Sequence, residues 1–294
     1  MHYQISHITR YIYSSPVSVC HNILTLSPRN SHRVQCANHR LKIKPTPLET
    51  HRRTDFFGNH LVVFSIEENH DELIISSQSR VVVQDPAIPA EMTPPLWREV
   101  KSKVRDRVDF HWLSASPFLF DSPRIERSEE FLKYVMPSFG NDTDVLRGTL
   151  DLCRRIYTEF KYDATATHSG TPTTQAFTIR RGVCQDFSHI MIACLRSLGI
   201  ASRYVSGYLR TTPPPGQARL VGADQSHAWV GVYCGPELGW IDFDPTNNCI
   251  CGKDHIPIAW GRDYADVVPV RGAFLGGGDS RISVSVDVVP VTDK

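Results

Sequence analysis

Charge of one sign is missing from this chain. Its 294 residues carry 32 Lys and Arg against 31 Asp and Glu, a formal net charge of +1, so there is no basic footprint of the kind that nucleic acid binding leaves. Long apolar runs are missing as well. With no 18-residue apolar segment, nothing reads as a membrane-crossing helix. The opening MHYQISHITRYIYSS lacks the cationic stretch followed by an unbroken apolar core that marks a secretory signal. Cysteine is present but unpatterned. The eight, at 20, 36, 153, 184, 194, 234, 249 and 251, show no framework spacing over so long a chain. Reduced thiols in a cytoplasmic protein are expected, without nucleic acid or membrane as partner. The oligomeric state is not legible.

What is present changes texture along the chain. Residues 1–85 read as strands: Ile5, Ile8, Tyr11 and Tyr13 open, Leu41 to Lys44 alternates, and 61–66 and 73–83 are β-branched. Turn chemistry at Ser27-Pro28-Arg29-Asn30, Pro45-Thr46-Pro47 and Gly58-Asn59 separates them. This predicts an all-β, sandwich-like domain. Residues 86–98, within and after DPAIPAEMTPP, suit a proline-rich linker. Residues 99–265 then mix helices and strands. A helix is expected from Ser122-Pro123 to Val135, stopped by Pro137, and another after Thr143 or Asp144. Strands are expected at 201–209, 227–233 and 239–244, with a flexible polar loop, TTPPPGQARLVGADQ, before the second. A C-terminal segment, 266–294, ends in the alternating RISVSVDVVPV, a strand whose sheet is open.

The chemistry concentrates in RRGVCQDFSHIMIACLRSLG. Phe187, Ile190, Met191, Cys194, Leu195 and Leu198 fall on one helical face. Gly182 suits the entry and Gly199 the C-cap, which puts Cys184 in the first turn. Unpaired N–H groups and the positive end of the helix dipole there favour a thiolate. A thiol nucleophile needs a base and a group to orient that base. SHAWVGVYCGPELGWIDFDPT offers both on a hairpin. If Ala228, Val230, Val232, Ile241 and Phe243 face the core, then His227, Trp229, Tyr233, Trp240, Asp242 and Asp244 share the other face. Folding the hairpin back brings Asp244 nearer to His227 than Asp242, within about 5–8 Å. Cys184, His227 and Asp244 follow as nucleophile, base and orienting acid.

These same stretches, RRGVCQDFSHIMIACLRSLGIASRYVSGYL, SHAWVGVY and GWIDFDPTNN, resemble the core of the transglutaminase-like superfamily in its bacterial, cysteine-protease-like branch. YQISHITRYIYSSPVS and DFFGNHLVVFSIEENHDELIISSQSRVVV resemble that branch's N-terminal β domain, and GRDYADVVPVRGAFLGGG its C-terminal segment. The resemblance implies an α+β fold: a papain-like core, with the cysteine helix packed on an antiparallel sheet, preceded by the all-β domain. It maps the family's Cys, His and Asp onto Cys184, His227 and Asp244. The activities it implies are peptide hydrolysis, amide cleavage and glutamine acyl transfer.

Other residues read more weakly. Trp229 and Trp240 on the catalytic face, and Gln185 beside the thiol, are candidates for binding substrate. Cys249-x-Cys251-x3-His255 is close-spaced but short of a zinc ligand set, so no metal and no cofactor is expected. His189, five residues after Cys184, points away from it on a helix. The histidines of the β domain read as surface. The expected reaction is attack of the thiolate on an amide of a protein or peptide to give a thioester. Water as acceptor makes a protease or amidase, and a lysine amine makes a transglutaminase. Hydrolysis is favoured, water being the default acceptor. A non-catalytic interaction module with a vestigial core is the rival, and retention of all three polar residues argues against it.

Overall fold

Alternating apolar residues over the first two dozen positions build one strand long enough to serve two halves of a sheet. In the computed structural model, which describes residues 1–86, 88, 91–211 and 225–291, β1 (His2–Leu24), β2 (Val34–Lys44), β3 (Thr50–Thr54), β4 (His60–Ile66) and β5 (His70–Val83) run in the order β2-β5-β1-β4-β3. The first half of β1 pairs with β5 and the second with β4, with a register shift between Ile12 and Val17. Tyr13, Val17, Leu24, Phe64 and Ile75 share one buried cluster. Residues of both halves thus turn inward over a common core, as a sandwich requires.

The helix-and-sheet core follows as α1 (Trp97–Asp106), α2 (Phe110–Ala115), α3 (Glu129–Val135), α4 (Val145–Glu159), β6 (Lys161–Tyr162), α5 (Thr173–Ile179), β7 (Arg181–Gly182) and α6 (Cys184–Leu198). Then come β8 (Ser202–Leu209), β9 (Gln225–Tyr233), β10 (Trp240–Asp244), β11 (Cys249–Ile250) and β12 (His255–Gly261), an antiparallel sheet in the order β11-β10-β9-β8-β12. Asp144 caps α4, its carboxylate accepting from the Arg147 N–H, as the sequence predicts. The helix expected from Ser122 starts later. Ser128 caps α3 by accepting from the Phe131 N–H, while Ser122 and Ile125 bridge to each other. Neither α1 nor α5 is flagged by a side-chain cap, and both escape a reading based on caps. The linker is shorter than 86–98, because Trp97 is buried in α1 and donates its indole N–H to the Gly140 carbonyl. Most of the polar loop expected at 211–225 lies outside the described residues.

Two findings go beyond local pattern. The tail forms β13 (Val270–Gly276) and β14 (Ser280–Pro290), and both join the N-terminal sheet on β1. The register of β14 runs unbroken from Tyr3 opposite Pro290 to Tyr13 opposite Ser280. The second is that α6 is buried all round rather than on one stripe: Ser188, His189, Ile192, Ala193 and Arg196 are as enclosed as the predicted apolar face. Helices α3, α4 and α5 cover one side and β8 and β9 the other. Such a helix is a core element. Its polar groups are matched accordingly. Arg196 gives its guanidinium to the carbonyls of Phe120, Ser202 and Arg262, and His189 Nε2 accepts the Tyr264 N–H.

The β domain and the core share an apolar seam in which Tyr3, Ile5, Val81 and Val288 meet Tyr208, Ile256 and Ile258. His7, read as surface, lies in that seam at 2% exposure, with Nδ1 2.7 Å from the Tyr208 hydroxyl and Nε2 3.0 Å from that of Thr9. Burial lowers its pKa to about 4, so it serves as a neutral tie between the two parts. His70 is buried as well.

Candidate active site

The entry to α6 is built by a close approach. A Cβ on Gly182 would stand 2.4 Å from a carboxylate oxygen of Asp186, so only glycine lets the strand end pass this side chain. Asp186 reaches back to accept the Val183 N–H at 2.8 Å and the Thr167 hydroxyl at 2.6 Å. This is the carboxylate half of a capping box, placed where the helix dipole is positive. The first bond of the helical ladder runs from Phe187 N–H to Val183 O. The N–H groups of Cys184, Gln185 and Asp186 therefore have no partner in the ladder. Cys184 sits there half-buried, whereas Cys153, Cys194, Cys234 and Cys251 are enclosed and burial pushes each of those thiols up.

The hairpin register is the one that parity demands. Phe243 faces Val230 and Asp242 faces Gly231, which sets Asp244 opposite Trp229 and diagonal to His227. Asp244, not Asp242, holds the imidazole: His227 Nε2 donates to Asp244 Oδ2 at 2.8 Å. That leaves Nδ1 free of Asp244, and Cys184 is close enough to the ring to favour its charged form. Burial opposes charge on this ring. The hydrogen bond to Asp244 and the charges of Asp244 and Cys184 outweigh it, and raise the pKa to about 10.

Asp244 is fully buried, which alone would favour its neutral form. The donors around it reverse that. His227, then His255, hold the carboxyl well below the usual range, with Asn247 adding to them. Oδ2 accepts from His227, from His255 Nε2 at 3.0 Å and from Asn247 Nδ2 at 2.6 Å. Oδ1 accepts the backbone N–H groups of Thr246 and Asn247. His255 and Asn247 are the contributors that sequence reasoning missed. Asn247 follows the Asp-Pro turn and could have been suspected from it. His255 arrives from β12 through pairing with β8, a contact with no local signal. The donor atoms of His227, Asp244 and His255 lie within 4.8 Å of one another, a set of types that zinc accepts. All three are already engaged in hydrogen bonds.

The proposed substrate contacts distribute differently. Trp229 is at 0% exposure. Its indole N–H donates to Asp242 Oδ2 at 3.1 Å, and its ring lies 6.1 Å from that of His227 and 5.4 Å from that of His255. It backs the two histidines and offers no face to a cleft, because β12 and Cys251 close over that side. Trp240 lies at the far end of the hairpin opposite Tyr233, packed on Phe118. Gln185 stays beside the thiol, its Nε2 donating to the Ser169 carbonyl at 3.3 Å.

A helix-start thiol, a buried imidazole and a carboxylate on an antiparallel sheet, behind a β domain, define a class of protein. Family models match at both parts: the bacterial transglutaminase-like N-terminal region over residues 3–82 and the transglutaminase-like superfamily over 133–245. The chain belongs to the transglutaminase-like superfamily. An uncharacterized protein of Mycobacterium tuberculosis strain H37Rv is 38% identical over 295 residues, spanning 98% of this chain and 92% of its own. One from Mycobacterium leprae is 29% identical over 97% of both chains. A protein-glutamine gamma-glutamyltransferase of Pseudomonas aeruginosa matches at 41% identity over 71 residues, 24% of this chain and 10% of its own. The crystal structure of a candidate cysteine protease from Cytophaga hutchinsonii superposes with a TM-score of 0.74 at 23% identity, over 100% of this chain and 92% of that one. It shares the fold.

Proposed function

We propose that the chain is a cysteine-dependent amide-bond enzyme in which Cys184, His227 and Asp244 act as nucleophile, general acid–base and orienting acid. The observation that carries this is the hydrogen bond from His227 to Asp244, with Cys184 at the start of α6 close enough to act on the same ring. The Cys184 sulfur attacks the carbonyl of a peptide bond or glutamine side chain, and the carbonyl electrons move to oxygen. The unpaired N–H groups at the start of α6 face a developing negative charge of this kind. His227 then gives its proton to the leaving amine, the C–N bond breaks, and a thioester remains on Cys184. Asp244, fixed by five donors, keeps the ring in the tautomer that presents Nδ1 to sulfur. Water attacking the thioester, with His227 as base, releases the acid.

Hydrolysis is the favoured outcome because water needs no site of its own. Transfer to a lysine amine is the second reading, and the 71-residue match to a Pseudomonas aeruginosa gamma-glutamyltransferase supports it. The substrate class is protein or peptide, and Gln185 is the residue best placed beside the sulfur to touch it. A cytoplasmic location is part of this reading, resting on the unpatterned spacing of the eight cysteines. The test is trapping of the acyl-enzyme from a lysate and mass analysis of the acyl group, with Cys184→Ala as control. Iodoacetamide labelling at pH 6 tests the nucleophile alone: an ordinary thiol of pKa about 8.5 is nearly inert there. Absence of selective labelling at Cys184 would reject the mechanism.

A further inference from the structure

The turn end of the β9–β10 hairpin carries a second cluster that the amide chemistry does not use. Arg203, on β8 opposite Gly231, is 8% exposed. Its guanidinium carbon lies 4.4 Å from the ring centroid of Trp240 and 4.0 Å from that of Trp260. Stacked between two indoles, the group keeps its rim of N–H donors but has no hydrogen-bond acceptor and no ion pair among the described residues; its Nε is buried and unpartnered. Burial lowers its pKa to about 10 against the opposing pull of Asp242. A buried guanidinium without an acceptor is costly, and natural structures rarely leave one.

The neighbours do not meet the need. Asp242 is the one buried carboxylate there. Its Oδ2 takes the Trp229 N–H and stands 3.7 Å from Arg33, while its Oδ1 is unpartnered. Arg33 spends its remaining donors on the carbonyls of Gln84 and Gly252. Arg29 lies over Trp260 at 3.4 Å; its Nη1 donates to the Phe57 carbonyl and to Asn59 Oδ1, while its Nε is buried and unpartnered. These three arginines line a cavity of about 560 Å³ between the β domain and the hairpin turn, within the range of sites for small organic ligands. Gly231 is four residues along β9 from His227, about 13 Å at 3.3 Å per residue. The cavity is therefore separate from the thiol.

We propose that this cavity is a binding site for a small organic anion, held by its carboxylate or phosphate group against the guanidinium rims of Arg203 and Arg29. A planar fork suits both oxyanions bidentately, and the half-buried Trp240 offers apolar surface to the organic part. The site does not depend on the proposed amide chemistry.

The test is calorimetry and tryptophan fluorescence on full-length Cys184→Ala, which binds without turnover, titrated with inorganic phosphate, succinate and phenyl phosphate. Saturable binding of succinate or phenyl phosphate is expected, tighter than that of inorganic phosphate, and whichever is tighter identifies the oxyanion. Arg203→Gln should weaken it tenfold or more. Asp242→Asn, which removes the competing carboxylate and keeps an acceptor for Trp229, should tighten it a few-fold. No saturable binding of any probe below about 10 mM overturns the proposal, as does a folded Arg203→Gln that binds like its parent. Should Arg203→Gln not fold, Asp242→Asn decides: binding that is unchanged or weaker counts against the site. Displacement of the anion by alkylating Cys184 in the wild-type chain would place it at the thiol and equally reject it.

Discussion

Asp242 and Asp244 are two residues apart, on one strand and one face, and meet opposite fates. Asp244 has five donors to two oxygens, all from within the core. Asp242 has the Trp229 N–H, a distant arginine and one bare oxygen. The strand places both carboxylates, but what closes around each comes from elsewhere. At Asp244 the Thr246–Asn247 turn and β12 saturate it, giving a fixed charge beside an imidazole. At Asp242 the β domain supplies arginines in excess and leaves a cavity. A saturated acid suits a positioning role, since each lone pair has one geometry. An unsaturated basic pocket suits recognition.

The largest effect should separate the two aspartates. With Cys184→Ala as the zero of activity, Asp244→Asn should lower kcat/KM by about 10- to 1000-fold, less than the corresponding change in a serine protease because sulfur is the stronger nucleophile and leans less on its base. Asp242→Asn should stay within a few-fold. Both should remain folded by circular dichroism. Reversed phenotypes would reassign the acid.

The pH profile sharpens the same contrast. His227 is raised to about 10 in the folded protein, so the imidazolium's contribution to stability is fully present below its ordinary value near 6.5 and is lost as pH rises through 10. Asp244 is depressed; its contribution is present above the ordinary carboxylate range and is lost as pH falls below it. Activity of the wild type should accordingly fall on the alkaline side near pH 10. In Asp244→Asn that limb should move toward neutral, whereas Asp242→Asn should leave it in place. An alkaline limb near 6.5 in the wild type would break the assignment of His227.

His255→Gln should have a smaller effect, about 3- to 30-fold on kcat, with KM little changed and the alkaline limb shifted downward, because one of the donors that holds Asp244 is weakened. A change in stability alone, with the pH profile intact, would make His255 a packing residue. The smallest effect concerns the floor beneath both acids. A Cβ on Gly207 would meet the Ile256 carbonyl at 2.3 Å and the Trp229 ring at 2.4 Å. Gly207→Ala should cost about 1–3 kcal/mol by overpacking, read as a fall in Tm, and should disturb the two ends of the hairpin together.

The parts of this site that were legible in the sequence are those written in local period. The bounds of α6, the parity of the hairpin and the choice of Asp244 over Asp242 all follow from residues close in the chain. His255 was not legible because His-Ile-Pro-Ile-Ala-Trp-Gly carries a proline in mid-strand and reads poorly as a ladder element. The burial of Trp229 was not legible either: parity gives its face, but what covers that face comes from β12 and Cys251. The same holds for the helix buried on all sides, where polar residues such as His189 and Arg196 look like solvent positions until their carbonyl and N–H partners are known. Distant pairing also explains why the tail's sheet could not be named.

That pairing sets an order of events during synthesis. β1 is made before the helix-and-sheet core, and two of its four neighbours, β13 and β14, are made after it. Until they emerge, the β1 edge they will cover carries open N–H and C=O groups along its whole length, alternating with apolar side chains, the profile of an edge that pairs with strangers. The helix-and-sheet core, whose buried cluster runs no further than Val267, can assemble while that edge still waits. A nascent chain can thus hold a formed thiol site beside an unfinished sheet, and its solubility rests on β13 and β14 rather than on the site.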